Sequence, residues 1–204
     1  MDKEGKLVVV SGPSGAGKGT VIKELMQASD EYVLSVSATT RAMREGDKEG
    51  VDYFFLTHEA FLEKIEHNGF LEYAVYNNNF YGTPRAFVEE KIAQGKNVIL
   101  EIEVQGALQI KKLFPRAVLV FLTPESFGEL ERRLRNRGTE TDEQIAQRLS
   151  IARREAPNAF LYDYVVLNRT GCAAQAAKDI LDCVRAETLR PFDNRAAIAD
   201  FLPQ

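Results

Sequence analysis

Four short apolar runs, at 7–10, 98–102, 117–122 and 164–167, stand out from a chain whose other apolar positions recur mostly at helical spacing. Runs of this length without a polar face are typical of strands covered on both sides, as in a parallel sheet. The helical periodicity predicts helices at 17–28, 84–94, 105–112, 125–136, 140–155 and 171–189. Strands alternating with helices predict an α/β fold in three layers around a central parallel sheet. Two stretches break this rhythm. Residues 33–83 are too long for one crossover, and carry strand-like pieces at 33–37, 53–56 and 71–75 around a helix at 57–67, which predicts a small inserted subdomain. Residues 126–155 hold seven arginines in two helical stretches broken near 137–139, a salt-bridged helical hairpin by itself and, in a chain that also carries a phosphate loop, a mobile helical lid. The expected organisation is a core of 1–32, 84–125 and 156–190, an insert at 33–83, a lid at 126–155 and a tail at 191–204. Insert and lid are the expected moving parts, neither deeply packed into the sheet.

The first run opens into Gly12-Pro13-Ser14-Gly15-Ala16-Gly17-Lys18-Gly19-Thr20 and then into a helical pattern. The Gly12-x-x-x-x-Gly17-Lys18 spacing lets backbone N–H groups surround a phosphate with few Cβ atoms in the way. The following helix start adds partial positive charge, and Lys18 can reach the outer phosphates. This specifies a phosphate-loop (P-loop) NTPase fold that binds a nucleotide triphosphate. Gly19 stands where many such loops place a Ser or Thr that holds Mg2+, and Thr20 comes one position late. The Thr20 hydroxyl is therefore assigned to an α-phosphate, and the metal to nucleotide oxygens, water and a carboxylate elsewhere.

Charge narrows the ligand class. A net charge of −4 argues against a general nucleic-acid binder, so an anionic ligand must meet locally clustered arginines. No apolar run reaches the ~18 residues of a bilayer span, and the opening residues run straight into the first strand without a signal peptide, which predicts a cytoplasmic protein. Cys172 and Cys183 are eleven apart on one expected helix, too distant to bridge, and His58 and His67 point to opposite faces of another.

Beyond the loop, Ser37-Ala38-Thr39-Thr40-Arg41-x-x-Arg44, Gly50-Val51-Asp52-Tyr53, Phe70-Leu71-Glu72-Tyr73-Ala74, Phe80-Tyr81-Gly82-Thr83, Leu100-Glu101-Ile102-Glu103-Val104-Gln105-Gly106 and Arg137-Gly138-Thr139-Glu140 follow in order. Together with Gly-Lys-Gly-Thr these motifs resemble the guanylate kinases, from about residue 6 to 187. The resemblance implies that Arg41, Arg44, Tyr53 and Tyr81 bind the phosphate of GMP, a task suited to two guanidinium forks and two phenols. It implies that Glu72 reads guanine, since a carboxylate offers two acceptors to N1–H and N2–H2. Ser37 and Thr83 match hydroxyl contacts to the guanine edge, Thr83 replacing a frequent Ser. Glu101 and Glu103 stand where relatives often carry Asp. Alternation along a strand puts both on one face, lining the nucleotide site, either being a candidate Mg2+ ligand. Arg137 and Arg148 match lid arginines that close over the transferring group, joined by Arg133, and Asn168 matches a position beside adenine.

The implied reaction is transfer of the γ-phosphoryl of ATP to GMP, and to dGMP, giving ADP and GDP, with Lys18, Arg41, Arg44, Arg137 and Arg148 as the catalytic set. Two alternatives stand beside it. A ribosyl bisphosphate kinase of the same family has no base to read, which disfavours it where Ser37, Glu72 and Thr83 are present. A non-catalytic protein-binding module of the same fold typically lacks an intact phosphate loop. The sequence assigns no protein partner.

Overall fold

A computed structural model describes residues 4–76, 78–136, 138 and 140–201. In chain order its first half runs β1 (Leu7–Ser11), α1 (Lys18–Ala28), β2 (Tyr32–Leu34), β3 (Ala38–Thr39), β4 (Phe54–Phe55), α2 (His58–Glu66), β5 (Phe70–Tyr76), β6 (Asn79–Pro84) and α3 (Arg85–Ala93). The second half runs β7 (Asn97–Glu101), α4 (Val104–Leu113), β8 (Val118–Thr123), α5 (Phe127–Asn136), α6 (Asp142–Glu155), a 3-10 helix (Ala156–Leu161), β9 (Tyr164–Leu167), α7 (Ala173–Glu187) and α8 (Arg195–Phe201).

The central sheet is parallel throughout, in the order β2-β7-β1-β8-β9. Its middle strand explains the apolar run: Val8 and Val10 face one core with Val21, Leu25 and Ile180, while Leu7 and Val9 face the other with Val88, Ala107 and Ile110. Period-two alternation thus feeds two hydrophobic layers, one under α1 and α7 and one under α3 and α4. All five side chains of β1 are buried, and the P-loop leaves its carboxyl end at the middle of the sheet. That edge is where open α/β sheets bind ligands.

A second sheet, β4-β3-β6-β5, carries a small core of its own in which Phe61 stacks on Phe70 and Phe80 at 4.3 and 5.2 Å. Helices α5 and α6 pack on one another through Leu130, Leu134, Ile145 and Ala152. The break between them has a local cause. Gly138 takes φ 65°, and Thr141 starts α6 with a capping box: its hydroxyl accepts from the Gln144 N–H, and the Gln144 side chain accepts from the Thr141 N–H.

Three expectations are corrected. The strand expected at 33–37 is Tyr32–Leu34, and it pairs with β7 in the central sheet, not in the inserted sheet. The strand expected to run to residue 102 ends at Glu101, because Glu103 is the N-cap of α4. The insert, expected not to pack deeply into the core, is tied to it at one strand: Leu71 of β5 is buried with Val9 and Leu100, so β5 is anchored in the main hydrophobic layer. Strands β3 and β6, the 3-10 helix and helix α8 have no counterpart in the expected elements. Among the described residues no helix is long and apolar enough to cross a membrane.

Candidate active site

The P-loop's shape rests on backbone geometry that only glycine takes easily. Gly12 adopts φ 144°, and a Cβ there would lie 2.0 Å from the Leu122 carbonyl oxygen; Gly17 adopts φ 90° against the Asn168 amide. Lys18, the first residue of α1, folds back so that its ammonium donates to the Gly12 carbonyl at 2.7 Å, over the loop's own cavity. Gly19 and Thr20 are exposed in the first turn of α1.

The nucleotide-side residues are bound to the loop more than to open space. Arg133, on α5, donates from Nε to Glu129, from Nη1 to the Ala16 carbonyl and from Nη2 to the Asn168 carbonyl. The buried Asn168 side chain donates to the same Ala16 carbonyl at 2.8 Å. Thus the two residues expected to touch ATP both clamp the P-loop backbone at Ala16. Glu129 anchors this clamp: Arg132, Arg133 and Thr170 all donate to its carboxylate, holding its pKa down to about 2. Asn168→Ala is expected to lower stability by roughly 1–3 kcal/mol, the cost of a lost buried hydrogen bond, in urea unfolding. It should also raise the KM for ATP, because the loop loses its support.

From the lid, Arg148 reaches across the chain, donating to the Ser14 hydroxyl of the P-loop and pairing with Glu140 at 2.8 Å. Arg137 lies outside the described residues.

On the other side of the cleft, Arg41 lies over the rings of Tyr53 and Phe55 at 5.3 and 5.4 Å, and Tyr53 meets Tyr81 edge-on at 5.8 Å. Asp47 holds this cluster together. It accepts from the Arg41 guanidinium at 2.9 Å and the Arg44 backbone N–H at 2.7 Å, and these bonds lower its pKa. Arg44 and Arg41 therefore share one turn, closed by a carboxylate that occupies Arg41.

Between the two sides lies a cavity of about 250 Å3 lined by Ser14, Lys18, Ser37, Tyr53, Glu101, Ile102 and Glu103, among others. A larger hollow of about 460 Å3, near Tyr32 and Leu181, lies elsewhere and contains none of the expected site residues. Glu101 and Glu103 reach the cavity from different elements, one ending β7 and one capping α4, so strand alternation is not what brings them together. Crowding raises the Glu101 carboxyl pKa although its side chain opens onto the cleft, with Lys18 opposing the rise and Glu103 adding to it. Glu155, at the end of α6, is likewise raised by burial, next by Glu103, against Lys18.

Glu72 and Thr83 face each other on the paired strands β5 and β6. The Thr83 hydroxyl donates to Glu72 Oε1 at 2.6 Å, and both side chains are buried, Glu72 with 5% of its surface exposed. Burial raises the Glu72 pKa, and the Thr83 bonds only partly offset it.

Sequence reasoning missed Asp47, Glu129, Glu140 and Glu155. Only Glu129 carried a readable signal, since Arg132 and Arg133 follow it at i+3 and i+4. Asp47 and Glu140 meet their arginines through irregular loop geometry six and eight residues apart, and Glu155 comes near Glu103 and Lys18 only through tertiary packing.

Relatives add what geometry alone leaves open. A family model described as guanylate kinase matches residues 4–183. A guanylate kinase of Prochlorococcus marinus is 51% identical over 168 residues, covering 82% of this chain and 90% of that protein. One from Streptococcus thermophilus is 50% identical over 184 residues, covering 89% and 88%. The crystal structure of guanylate kinase from Anaplasma phagocytophilum superposes with a TM-score of 0.75 at 33% identity, covering 92% of this chain and 88% of that one. The P-loop, the facing arginine–tyrosine cluster and the buried Glu72 carboxylate sit on a chain matched along nearly its whole length, and the chain belongs to the guanylate kinase family.

Proposed function

We propose that this chain transfers the γ-phosphoryl of ATP to the α-phosphate of GMP, and of dGMP, giving ADP and GDP. The acceptor side rests on one observation: Glu72 is a buried carboxylate whose partner is the Thr83 hydroxyl, not a cation. Such a group is left with acceptor capacity on both oxygens that suits a ligand bearing donors side by side. Guanine has that pair in N1–H and N2–H2; adenine does not. Ser37, which lines the neighbouring cavity, and Thr83 complete the base contacts. Arg41, Arg44, Tyr53 and Tyr81 take the acceptor phosphate, which exchanges with Asp47 for the Arg41 guanidinium.

The attacking group is a phosphate oxygen, already largely ionised near neutral pH because the second pKa of a phosphate monoester is about 6. No general base is needed. The chain's own task is in-line placement and charge neutralisation. Residues 12–20 hold the ATP phosphates, and Lys18 swings from the Gly12 carbonyl onto them. Arg148, with Arg137, covers the transferring group and excludes water, which would otherwise take the phosphoryl group. Arg133 and Asn168 keep the loop in shape beside the adenine. In domain terms, 33–83 is the GMP-binding part and 126–155 the lid on a core of 1–32, 84–125 and 156–190, with 191–204 as a tail.

Mg2+ fits the residues present. Gly19 lacks a hydroxyl, and Glu101 Oε2 lies 3.9 Å from where a Cβ on Gly19 would stand. Among the described residues no group of three or more His, Cys, Asp or Glu is suited to a metal; the ion is assigned mainly to nucleotide phosphates and water. Glu101 or Glu103 would hold it from the protein side, and when bound it supplies charge neutralisation on the phosphates. We place the activity in the cytoplasm, with small nucleotides as its ligands and no nucleic-acid or membrane partner.

A coupled ADP-release assay tests the assignment, with ATP, Mg2+ and, in parallel, GMP, dGMP, AMP, UMP and ribose 1,5-bisphosphate. GMP is expected to exceed AMP in kcat/KM by about 10^4, the discrimination of a site built to hydrogen-bond its substrate. Preference for the ribosyl bisphosphate would overturn the guanine site, and no turnover with any acceptor would point to the protein-binding module.

A further inference from the structure

Gly106 sits in the first turn of α4 with ordinary helical backbone, so its own conformation does not demand glycine. Glycine weakens a helix by about 1 kcal/mol relative to alanine. What a side chain would meet lies outside the helix: a Cβ on Gly106 would lie 2.5 Å from Glu72 Oε2 and 3.1 Å from Glu72 Cδ, so the carboxylate would have to shift. The other carboxylate oxygen, Oε1, is already tied to Thr83 at 2.6 Å. One oxygen is thus fixed by a hydroxyl and the other rests against a bare Cα. The third atom that such a Cβ would meet is Ile102 Cδ1 at 3.4 Å, and Ile102 lines the central cavity.

We infer that Gly106 is a positioning residue for base selection: its missing side chain sets the plane of the Glu72 carboxylate, so that both oxygens meet the guanine N1–H and N2–H2 together. This rests on the base-reading role given to Glu72 above. A methyl at position 106 pushes Oε2 away while Thr83 retains Oε1, so the carboxylate turns and one of the two base hydrogen bonds is lost. The bond is most visible in the contrast between GMP and inosine monophosphate, which keeps N1–H and O6 but lacks the 2-amino group.

The experiment compares kcat/KM for GMP and inosine monophosphate in wild type and Gly106→Ala, together with the KM for ATP. Expected is a fall of about tenfold in the GMP preference, with the KM for ATP unchanged. An unchanged preference overturns the inference, as does an equal loss on both acceptors with a raised KM for ATP, which is the pattern of a merely structural residue. A wild type without preference for GMP overturns the Glu72 reading itself, and the inference with it. Melting temperatures of Gly106→Ala in the wild-type and Glu72→Ala backgrounds keep the test independent of folding. The methyl should destabilise when the carboxylate is present and stabilise when it is absent; the same change in both backgrounds overturns the contact.

Discussion

Lys18→Ala is expected to lower kcat for GMP phosphorylation by roughly 10^3-fold, about 4 kcal/mol of transition-state stabilisation, with little change in folding stability. Both halves follow from geometry. Without nucleotide the ammonium is spent on the Gly12 carbonyl at 2.7 Å, a contact to a loop that is shaped independently by its glycines and by the Arg133–Asn168 clamp. Removing it deletes two part-buried hydrogen bonds, the second a long one to the Pro13 carbonyl at 3.4 Å. During transfer the same ammonium meets charge spreading over the transferring phosphoryl, in a site closed to water, where fixed charge is worth far more than in solvent. A kcat loss under tenfold, with ATP binding intact, would show that the arginines carry the stabilisation without Lys18. A lowered melting temperature would instead make the lysine part of the loop's structure.

How far the sequence carried this picture depends on whether the determining contacts are local. Strands β1, β7, β8 and β9 were legible because each is a compact apolar run, and a parallel sheet covered on both sides requires that pattern. The P-loop was legible because its glycines, lysine and following helix are contiguous. Residues 32–37 read Tyr-Val-Leu-Ser-Val-Ser, and nothing in that alternation says which sheet takes the first three. Pairing with β7 decides it, some 65 residues away. Strand β6 was missed because it rises from an Asn-rich turn and carries Gly82, both poor strand signals. Glu103 was read as strand because the helix start after it lacks a side-chain cap.

The site divides along the same line. Glu129 and its two arginines are helical neighbours and could be read from spacing. Asp47 binding Arg41 is a loop geometry, and Gly106 meeting Glu72 joins residues 34 positions apart through packing of α4 on β5. The sequence therefore named the groups that touch nucleotide better than the groups that hold them. Recognition chemistry restricts residue types at a position, whereas support can come from any side chain that arrives in three dimensions.

Glu72 brings recognition and stability into direct conflict, and Glu72→Gln separates them. On the acceptor side the amide replaces one acceptor with a donor, which then faces a donor of guanine, and the charge-assisted pair is lost. The kcat/KM for GMP is expected to fall by roughly 10^3-fold, while the KM for ATP, set across the cleft, stays within about twofold. Stability moves the other way. Burial raises the folded-state pKa of this carboxyl above its ordinary value near 4.5, so the folded protein binds the proton more tightly than the unfolded chain does. The wild type is then least burdened below that ordinary value, loses stability as pH rises from there through the raised folded value, and stays at the lower level above it. Glutamine keeps the Thr83 hydrogen bond through its carbonyl oxygen and does not ionise. Ligand-free Glu72→Gln should therefore melt higher than wild type at pH 7 to 8, with the gap closing as pH falls towards about 4. Thermal unfolding across that range, with kinetics on the same preparations, reads both effects. An unchanged gap across the range would mean that folding does not raise the Glu72 pKa, and retained GMP turnover would remove it from base recognition. Acid-side closure of the gap together with lost GMP turnover means that the chain keeps a destabilising buried charge because guanine, on binding, supplies the donors that the fold withholds.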